Sequence, residues 1–224
     1  MTAGDPLELV VLVSGSGTNL QAVIDAIAQH RLHARVRLVL SNVEGAKGLE
    51  RAQQAGIDTR VLPHKGFATR AAFDTELTRM VRDAFGAADD QAAPRRWVLL
   101  AGFMRIVGAS FLDSFAQRVI NIHPSLLPAF PGVHAQRQAL DKRVRVTGCT
   151  VHLVDAGTDT GPILGQAAVP VLDDDDETTL TARILEQEHR LLPSVLQWIA
   201  EGRLRMVDGR PRFDGVVPVL GLAR

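Results

Sequence analysis

Residues 7–19, with the sequence LELVVLVSGSGTN, decide the fold class. The part at 7–13 is almost continuously apolar, which is typical of a strand buried on both faces of a sheet. A turn rich in Gly and Ser follows at 14–19, and apolar residues then recur at spacings of three and four, at positions 20, 23, 24 and 27. A buried strand that leads through a glycine-rich turn into a helix predicts an α/β fold.

The same alternation continues along the chain. Further strands are predicted at 36–40, 59–62, 97–101, 119–122, 146–154 and 163–171, with helices at 45–55, 69–85 and from Thr178 to about Ala200. This order predicts a single Rossmann-like α/β domain over 1–207, with a mostly parallel twisted sheet and helices on both faces. We expect a surface loop at 86–96 and a loosely ordered C-terminal tail at 208–224.

Composition and charge exclude several classes of protein. The 224 residues include 25 Lys and Arg and 25 Asp and Glu, so there is no basic excess and general nucleic-acid binding is not expected. The single thiol, Cys149, makes neither an internal disulfide nor a thiolate zinc site, and we interpret it as a core residue. The start of the chain lacks the features of a signal peptide and the apolar runs are too short to span a bilayer, so we expect a cytoplasmic protein without a membrane partner.

The turn at 14–19 is a candidate phosphate site. Backbone N–H groups and the positive end of the following helix bind anions, and glycines allow close approach. A dinucleotide is disfavoured because Leu20 stands where the fingerprint needs a third glycine, and because the second strand ends in Ser41 and Asn42 without an acidic residue. A single phosphomonoester fits better. The alternative is a plain turn with Thr18 or Asn19 as the helix cap.

Asn121 and His123 form a second candidate site at the end of the fifth strand. Residues two apart on a strand point to the same face, so the amide and the imidazole lie side by side. Both groups can donate hydrogen bonds to a developing oxyanion, whereas the pair is poorly suited to metal binding. The alternative is a histidine that ends a strand without any chemical role.

Three further polar residues each have two possible roles. Asp159, flanked by glycines, could orient a histidine, or could be a turn residue that bonds its own backbone. His152 could approach the site, but we favour a satisfied, half-buried histidine. Glu188 falls on the apolar stripe of the last helix, where ligand hydroxyls or a salt bridge would have to satisfy it. Pro193 predicts a kink in the same helix.

Several motifs together resemble a known family. These are SGSGTNL at 14–20, SN at 41–42, GLERAQQAGI at 48–57, LAGFMRI at 100–106, INIHPSLLPAFPG at 120–132 and TARILEQEH at 181–189. The chain resembles the folate-dependent phosphoribosylglycinamide formyltransferases of purine biosynthesis from about residue 8 to residue 207. The HPSLLP segment is shared with other formyltetrahydrofolate enzymes, and the phosphate loop and the QEH segment make the resemblance specific.

The resemblance implies formyl transfer from 10-formyltetrahydrofolate, as co-substrate, to the amine of glycinamide ribonucleotide, without a metal. It assigns catalysis to Asn121, protonated His123 and Asp159. The implied substrate contacts are Gly17, Thr18, Asn19, Pro124 and Glu188. The implied folate contacts are Arg70, Met104, Arg105, Ile106, Val107 and Asn121. The expected partners are small molecules, and the expected assembly is a monomer or a homodimer.

The sequence also departs from the family pattern at one position, and three alternative functions have to be considered. Leu185 stands where the family often has Lys or Gln, so one phosphate contact is expected to be missing or supplied elsewhere. Formyltetrahydrofolate hydrolase usually has a second histidine where this chain has Pro124, and an extra N-terminal domain. Methionyl-tRNA formyltransferase has an extra C-terminal domain. A non-catalytic nucleotide sensor would leave Asn121, His123 and Asp159 without a role.

Overall fold

The structure is a computed structural model that describes residues 4–86 and 93–220. Most of the surface loop predicted at 86–96 therefore lies outside the described residues. The chain divides into two compact units, Met1–Ile120 and Asn121–Arg224. None of the described helices is long and apolar enough to cross a membrane.

The first unit is built from alternating strands and helices. Its elements are β1 (Leu7–Val13), α1 (Thr18–Ala28), β2 (Ala34–Ser41), α2 (Lys47–Gln54), β3 (Thr59–Val61), α3 (Arg70–Phe85), β4 (Arg96–Leu100) and α4 (Ala109–Ser114). Strand β5 (Val119–His123) leads into the second unit. The strand order is β4-β1-β2-β3, and all three pairings are parallel, as the sequence predicts.

Strand β1 has a parallel neighbour on each side, β2 and β4. Five consecutive side chains at its end, from Leu9 to Val13, are completely buried. A strand covered on both faces cannot alternate apolar and polar side chains, which explains the continuous apolar run. The carboxyl end of β1 opens directly into the turn that precedes α1.

The second unit has a mixed arrangement. After β5 come α5 (Ala135–Asp141), β6 (Val146–Leu153), β7 (Ile163–Pro170), α6 (Glu177–Ala200), β8 (Leu204–Val207), β9 (Arg210–Phe213) and β10 (Val219–Leu220). Strands β6 and β7 are antiparallel, β10 runs parallel to β7, and β8 and β9 form a separate hairpin. Helix α6 runs through Pro193 as a single element.

The expectation of a loosely ordered tail is wrong for its described part. Residues 210–213 form β9, and residues 219–220 form β10 along the edge of β7. The ring of Phe213 packs edge-on against Trp198 of α6, with the centroids 5.6 Å apart. This contact explains why a Gly- and Pro-containing stretch is ordered: its aromatic side chain has a partner on a long helix.

Candidate active site

The predicted phosphate loop has the geometry that an anion site needs. Gly17 is the N-cap of α1 and adopts a left-handed conformation with φ 68°, and no side chain caps the helix. Because Gly17 itself is the N-cap, the alternative prediction of a cap by Thr18 or Asn19 is wrong. This is the arrangement in which a bound anion satisfies the amides.

The loop is fixed by a close contact between two glycines. A Cβ atom on Gly17 would lie 2.5 Å from the Cα of Gly48 at the start of α2, so any side chain at position 17 forces the backbones apart. The Arg51 side chain also holds the loop, because its Nε donates to the Ser16 carbonyl at 2.8 Å. Sequence reasoning missed Arg51, whose only signal is its place in the GLER motif.

Ser14, at the end of β1, connects this loop with the predicted folate segment. Its hydroxyl donates to Asn42 Oδ1 at 2.6 Å and accepts from the Met104 N–H at 2.8 Å. Met104 and Ile106 are 70% and 62% exposed, whereas Val107 is buried. Arg70 reaches the same segment, since its Nη2 donates to the Val107 carbonyl at 2.9 Å. The structure thus brings together Arg70 and Val107, two of the implied folate contacts.

In the second unit, His123 and Asp159 are in contact. His123 ends β5, and its Nδ1 lies 3.3 Å from Asp159 Oδ2, while the same carboxylate oxygen accepts the Gly132 N–H at 2.7 Å. Both side chains are largely buried, with exposures of 6% and 13%. The hypothesis that Asp159 orients a histidine is supported by this contact, which the turn alternative does not require.

The burial of His123 works against the protonated state that the resemblance implies. Burial lowers its pKa below the ordinary value, and the Phe130 hydrogen bond and the Asp159 charge oppose this without outweighing it. Burial acts to raise the pKa of Asp159, but hydrogen bonds from His152 and the Gly132 N–H, with the His123 charge, hold it below its ordinary value. Burial thus acts against the charged imidazole, while the charge of each group stabilises the charged form of the other.

The hydrogen bonds of His123 show where a proton would go. Its Nε2 lies 2.8 Å from the Phe130 carbonyl oxygen, which only accepts, so this nitrogen carries the ring proton. Its Nδ1 faces a second acceptor, the carboxylate oxygen of Asp159. A proton on Nδ1 makes this contact a charge-assisted hydrogen bond. The arrangement is therefore suited to take up a proton.

The loop that carries Asp159 is shaped by its glycines. A Cβ atom on Gly161 would lie 1.8 Å from the Leu153 carbonyl oxygen, and one on Gly157 would lie 2.0 Å from the Thr160 hydroxyl. Asp155 closes the loop by accepting from the Gly157 N–H and the Thr160 hydroxyl at 3.1 and 2.7 Å. The close approach explains why glycines flank the aspartate.

His152 combines the two interpretations that the sequence left open, because it is a buried histidine with a partner at each ring nitrogen and it also contacts predicted site residues. Its ring is 2% exposed, its Nε2 lies 3.1 Å from Asn121 Nδ2, and the same nitrogen lies 3.6 Å from Asp159 Oδ1. Its Nδ1 contacts the Leu153 carbonyl at 2.9 Å. His152 therefore touches two of the three predicted catalytic residues. Its alternation with Val151 and Leu153 on a strand gave only a weak signal.

The structure also gives the surroundings of Glu188, Cys149 and Pro124 in this unit. Glu188 is buried on α6, as its position on the apolar stripe indicates. Burial and the nearby charge of Glu188 raise the pKa of Cys149 well above its ordinary range, which fits a core thiol that is not a nucleophile. Pro124 directly follows His123 at the end of β5. Among the described residues, no group of three or more His, Cys, Asp or Glu side chains is arranged to hold a metal ion.

The comparisons with known proteins define the class. A model of the formyl transferase family matches residues 7–196, and the chain belongs to this family. The phosphoribosylglycinamide formyltransferase of Escherichia coli (strain K12) is 46% identical over 209 residues, which are 93% of this chain and 94% of that relative. The resemblance inferred from the motifs is confirmed.

Two other proteins extend this likeness. The trifunctional purine biosynthetic protein adenosine-3 of Drosophila melanogaster is 49% identical over 196 residues, which cover 87% of this chain but span only 14% of the fly protein's length. The crystal structure of glycinamide ribonucleotide transformylase 1 from Symbiobacterium toebii superposes with a TM-score of 0.86 at 47% identity, covering 94% of this chain and 95% of that one. The predicted α/β class with a mostly parallel sheet is confirmed.

Proposed function

We propose that this chain transfers the formyl group of 10-formyltetrahydrofolate to the amine of 5'-phosphoribosylglycinamide, giving formylglycinamide ribonucleotide and tetrahydrofolate. This is a step of de novo purine biosynthesis. The observation that carries the proposal is the contact of His123 Nδ1 with Asp159 Oδ2 at 3.3 Å, next to Asn121, in a member of the formyl transferase family. The likeness to relatives named for this reaction supports the choice of substrates.

The reaction needs one proton moved and one oxyanion stabilised. The amine nitrogen attacks the formyl carbon, and a C–N bond forms while the carbonyl electron pair moves to oxygen. The bond between this carbon and N10 of the folate then breaks. The amine loses one proton, N10 gains one, and the carbonyl re-forms. Hydrogen-bond donors aimed at the oxygen lower the barrier, typically by about 3 kcal/mol for each donor.

The residues around His123 suit these two tasks. The Asn121 amide supplies a donor for the oxyanion. His123 Nε2 can supply a second donor once its hydrogen bond with Phe130 is shared or replaced, because that N–H is engaged at 2.8 Å in the resting site. Proton uptake at Nδ1, directly or through water, is favoured by the Asp159 carboxylate. Asp159 therefore acts through the charge that His123 acquires during turnover.

Binding of the two substrates is proposed from the resemblance and the local geometry. Gly17, Thr18 and Asn19 would bind the phosphate at the start of α1, where the N-cap Gly17 supplies no capping side chain, and the buried Glu188 would bind ribose hydroxyls. Pro124 would line the glycinamide side. The folate would contact Arg70 and the segment from Met104 to Val107, with Asn121 at the formyl group. No step requires a metal, and the protein would act in the cytoplasm as a monomer or a homodimer.

The proposal is tested by measuring tetrahydrofolate release from 10-formyltetrahydrofolate with and without glycinamide ribonucleotide. We expect release only when the ribonucleotide is present. Release that ignores the ribonucleotide would make the chain a formyltetrahydrofolate hydrolase. The absence of release under both conditions, with ribonucleotide binding retained, would make it a non-catalytic sensor. Both outcomes contradict the proposed transfer.

A further inference from the structure

The segment at 104–108, which follows β4 and precedes α4, has no regular secondary structure but is held at both ends. At its start the Met104 N–H donates to Ser14 at 2.8 Å. At its end the Gly108 N–H donates to Asp74 Oδ2 at 2.9 Å, and the Val107 carbonyl accepts from Arg70 at 2.9 Å. Arg70 and Asp74, which lie one turn apart on α3, thus bind the Val107 carbonyl and the Gly108 N–H, the two groups of one peptide bond.

The environment of Asp74 is unusual for a carboxylate. Its side chain is 2% exposed, it faces Arg70 Nε at 3.7 Å, and its Oδ1 is buried without a hydrogen-bond partner. Burial raises its pKa, while the Gly108 N–H and the charges of Arg70 and Arg105 oppose this without outweighing it. A buried, incompletely satisfied carboxylate costs stability compared with an apolar side chain, and the contacts that offset this cost are those with the Gly108 N–H and Arg70.

The fit between Asp74 and Gly108 is close. A Cβ atom on Gly108 would lie 2.4 Å from Asp74 Oδ2, so only glycine lets the carboxylate reach this amide. Between the two fixed ends, Met104 and Ile106 present exposed apolar side chains, 70% and 62% accessible. Exposed apolar side chains on a fixed backbone suit the face of a planar, largely apolar ligand group.

We infer that Asp74 is a positioning residue for folate binding, because it fixes the Gly108 amide and with it the backbone that presents Met104 and Ile106. The inference rests on the proposed function, in which this segment contacts the folate. Asp74 does not touch the folate in this account. It acts through Gly108, and Arg70 completes the hold at the Val107 carbonyl.

The test compares three substitutions on α3. Asp74→Ala removes the acceptor and is expected to raise the KM for 10-formyltetrahydrofolate about 10- to 100-fold, with kcat and the KM for glycinamide ribonucleotide within about twofold. Asp74→Asn keeps an acceptor oxygen and is expected to restore most of the affinity. Val81→Ala, in the buried core of the same helix, lowers the melting temperature without changing either KM, and controls for a general loosening of α3.

A second readout follows the backbone itself. Amide hydrogen exchange at Met104 and Gly108 is expected to rise at least about tenfold in Asp74→Ala but not in Asp74→Asn or Val81→Ala. Asp74→Leu, which leaves an apolar side chain without an acceptor, replaces the alanine variant if that one does not fold. Calorimetric binding of tetrahydrofolate gives the affinity without turnover.

The outcomes separate this inference from the proposed function. Wild-type protein that forms no formylglycinamide ribonucleotide and binds no tetrahydrofolate overturns both. An active wild-type enzyme with an unchanged folate KM in Asp74→Ala overturns only the positioning role. An equal rise of both KM values, or the same rise in Val81→Ala, also overturns it, because a merely structural residue would behave in this way.

Discussion

Replacing Asp159 with Asn is the substitution with the largest predicted effect. The carboxylate lies 3.3 Å from His123 Nδ1, and both side chains are largely shielded from solvent. At this distance an effective dielectric constant of about 20 gives an attraction of about 5 kcal/mol between the carboxylate and an imidazolium. Because about 1.4 kcal/mol corresponds to a tenfold change in rate, the upper bound for the loss is about 10³- to 10⁴-fold in kcat.

Asn keeps an oxygen that can accept the Gly132 N–H, so the loop is expected to remain in place and part of the contact to survive. We therefore expect kcat to fall on the order of 10³-fold, with both KM values changed less than about threefold. The assay is steady-state formation of tetrahydrofolate with each substrate varied in turn. Melting temperatures of both proteins check that the variant is folded.

Asp155→Asn is the matched control for this substitution. It removes a carboxylate from the same loop, but Asp155 is exposed and only accepts from the Gly157 N–H and the Thr160 hydroxyl, which an amide oxygen can replace. We expect at most about a threefold change in kcat. The reasoning is refuted if Asp159→Asn keeps more than a tenth of wild-type kcat, or if Asp155→Asn loses as much.

Three further substitutions give independent tests. Gly17 has φ 68°, and a Cβ on it would lie 2.5 Å from the neighbouring helix, so Gly17→Ala is expected to weaken the binding of glycinamide ribonucleotide, measured by calorimetry, at least about tenfold. A Cβ on Gly15 has nothing within 4 Å, so Gly15→Ala is expected to leave the affinity within about twofold. Equal effects would contradict the account of the loop. His152→Leu removes the contact with the Asn121 amide and is expected to lower kcat about 10- to 100-fold in steady-state assays with unchanged KM values; a pure KM effect would contradict the role. The folded pKa of His123 lies below 6.5, so its contribution to stability is complete above pH 6.5 and is lost as pH falls through the folded pKa. In urea unfolding from pH 8 to 5, the free energy of unfolding is therefore expected to fall more steeply in wild type than in His123→Gln. Equal slopes would contradict burial of a neutral ring.

Local patterns predicted the parts of the site that depend only on neighbours in the chain. An apolar run predicts strand β1, and the change in the spacing of apolar residues after the turn predicts helix α1. Side chains two apart on a strand point to the same face, which places Asn121 beside His123. These features need no knowledge of distant partners.

The other features of the site depend on contacts between residues that are far apart in the sequence. His152 was underrated because strand β6 is buried on both faces, so alternation with Cys149 and Val151 could not tell a core side from a site side. The strand pairing also shifts register between Val151 and His152. The lowered pKa of His123 follows from its burial, which no local pattern reports. Asp74 went unnoticed because its partner, Gly108, is 34 residues away.

The most direct measurement of the central claim follows an isotope-labelled formyl carbon from 10-formyltetrahydrofolate during turnover with glycinamide ribonucleotide. The product is identified by carbon NMR, with the Asp159→Asn variant run in parallel. The account predicts that the label appears as a formamide carbon bonded to the glycinamide nitrogen, with one tetrahydrofolate released per label transferred and almost none in the variant. Label recovered as free formate, or transferred equally well by the variant, would contradict it.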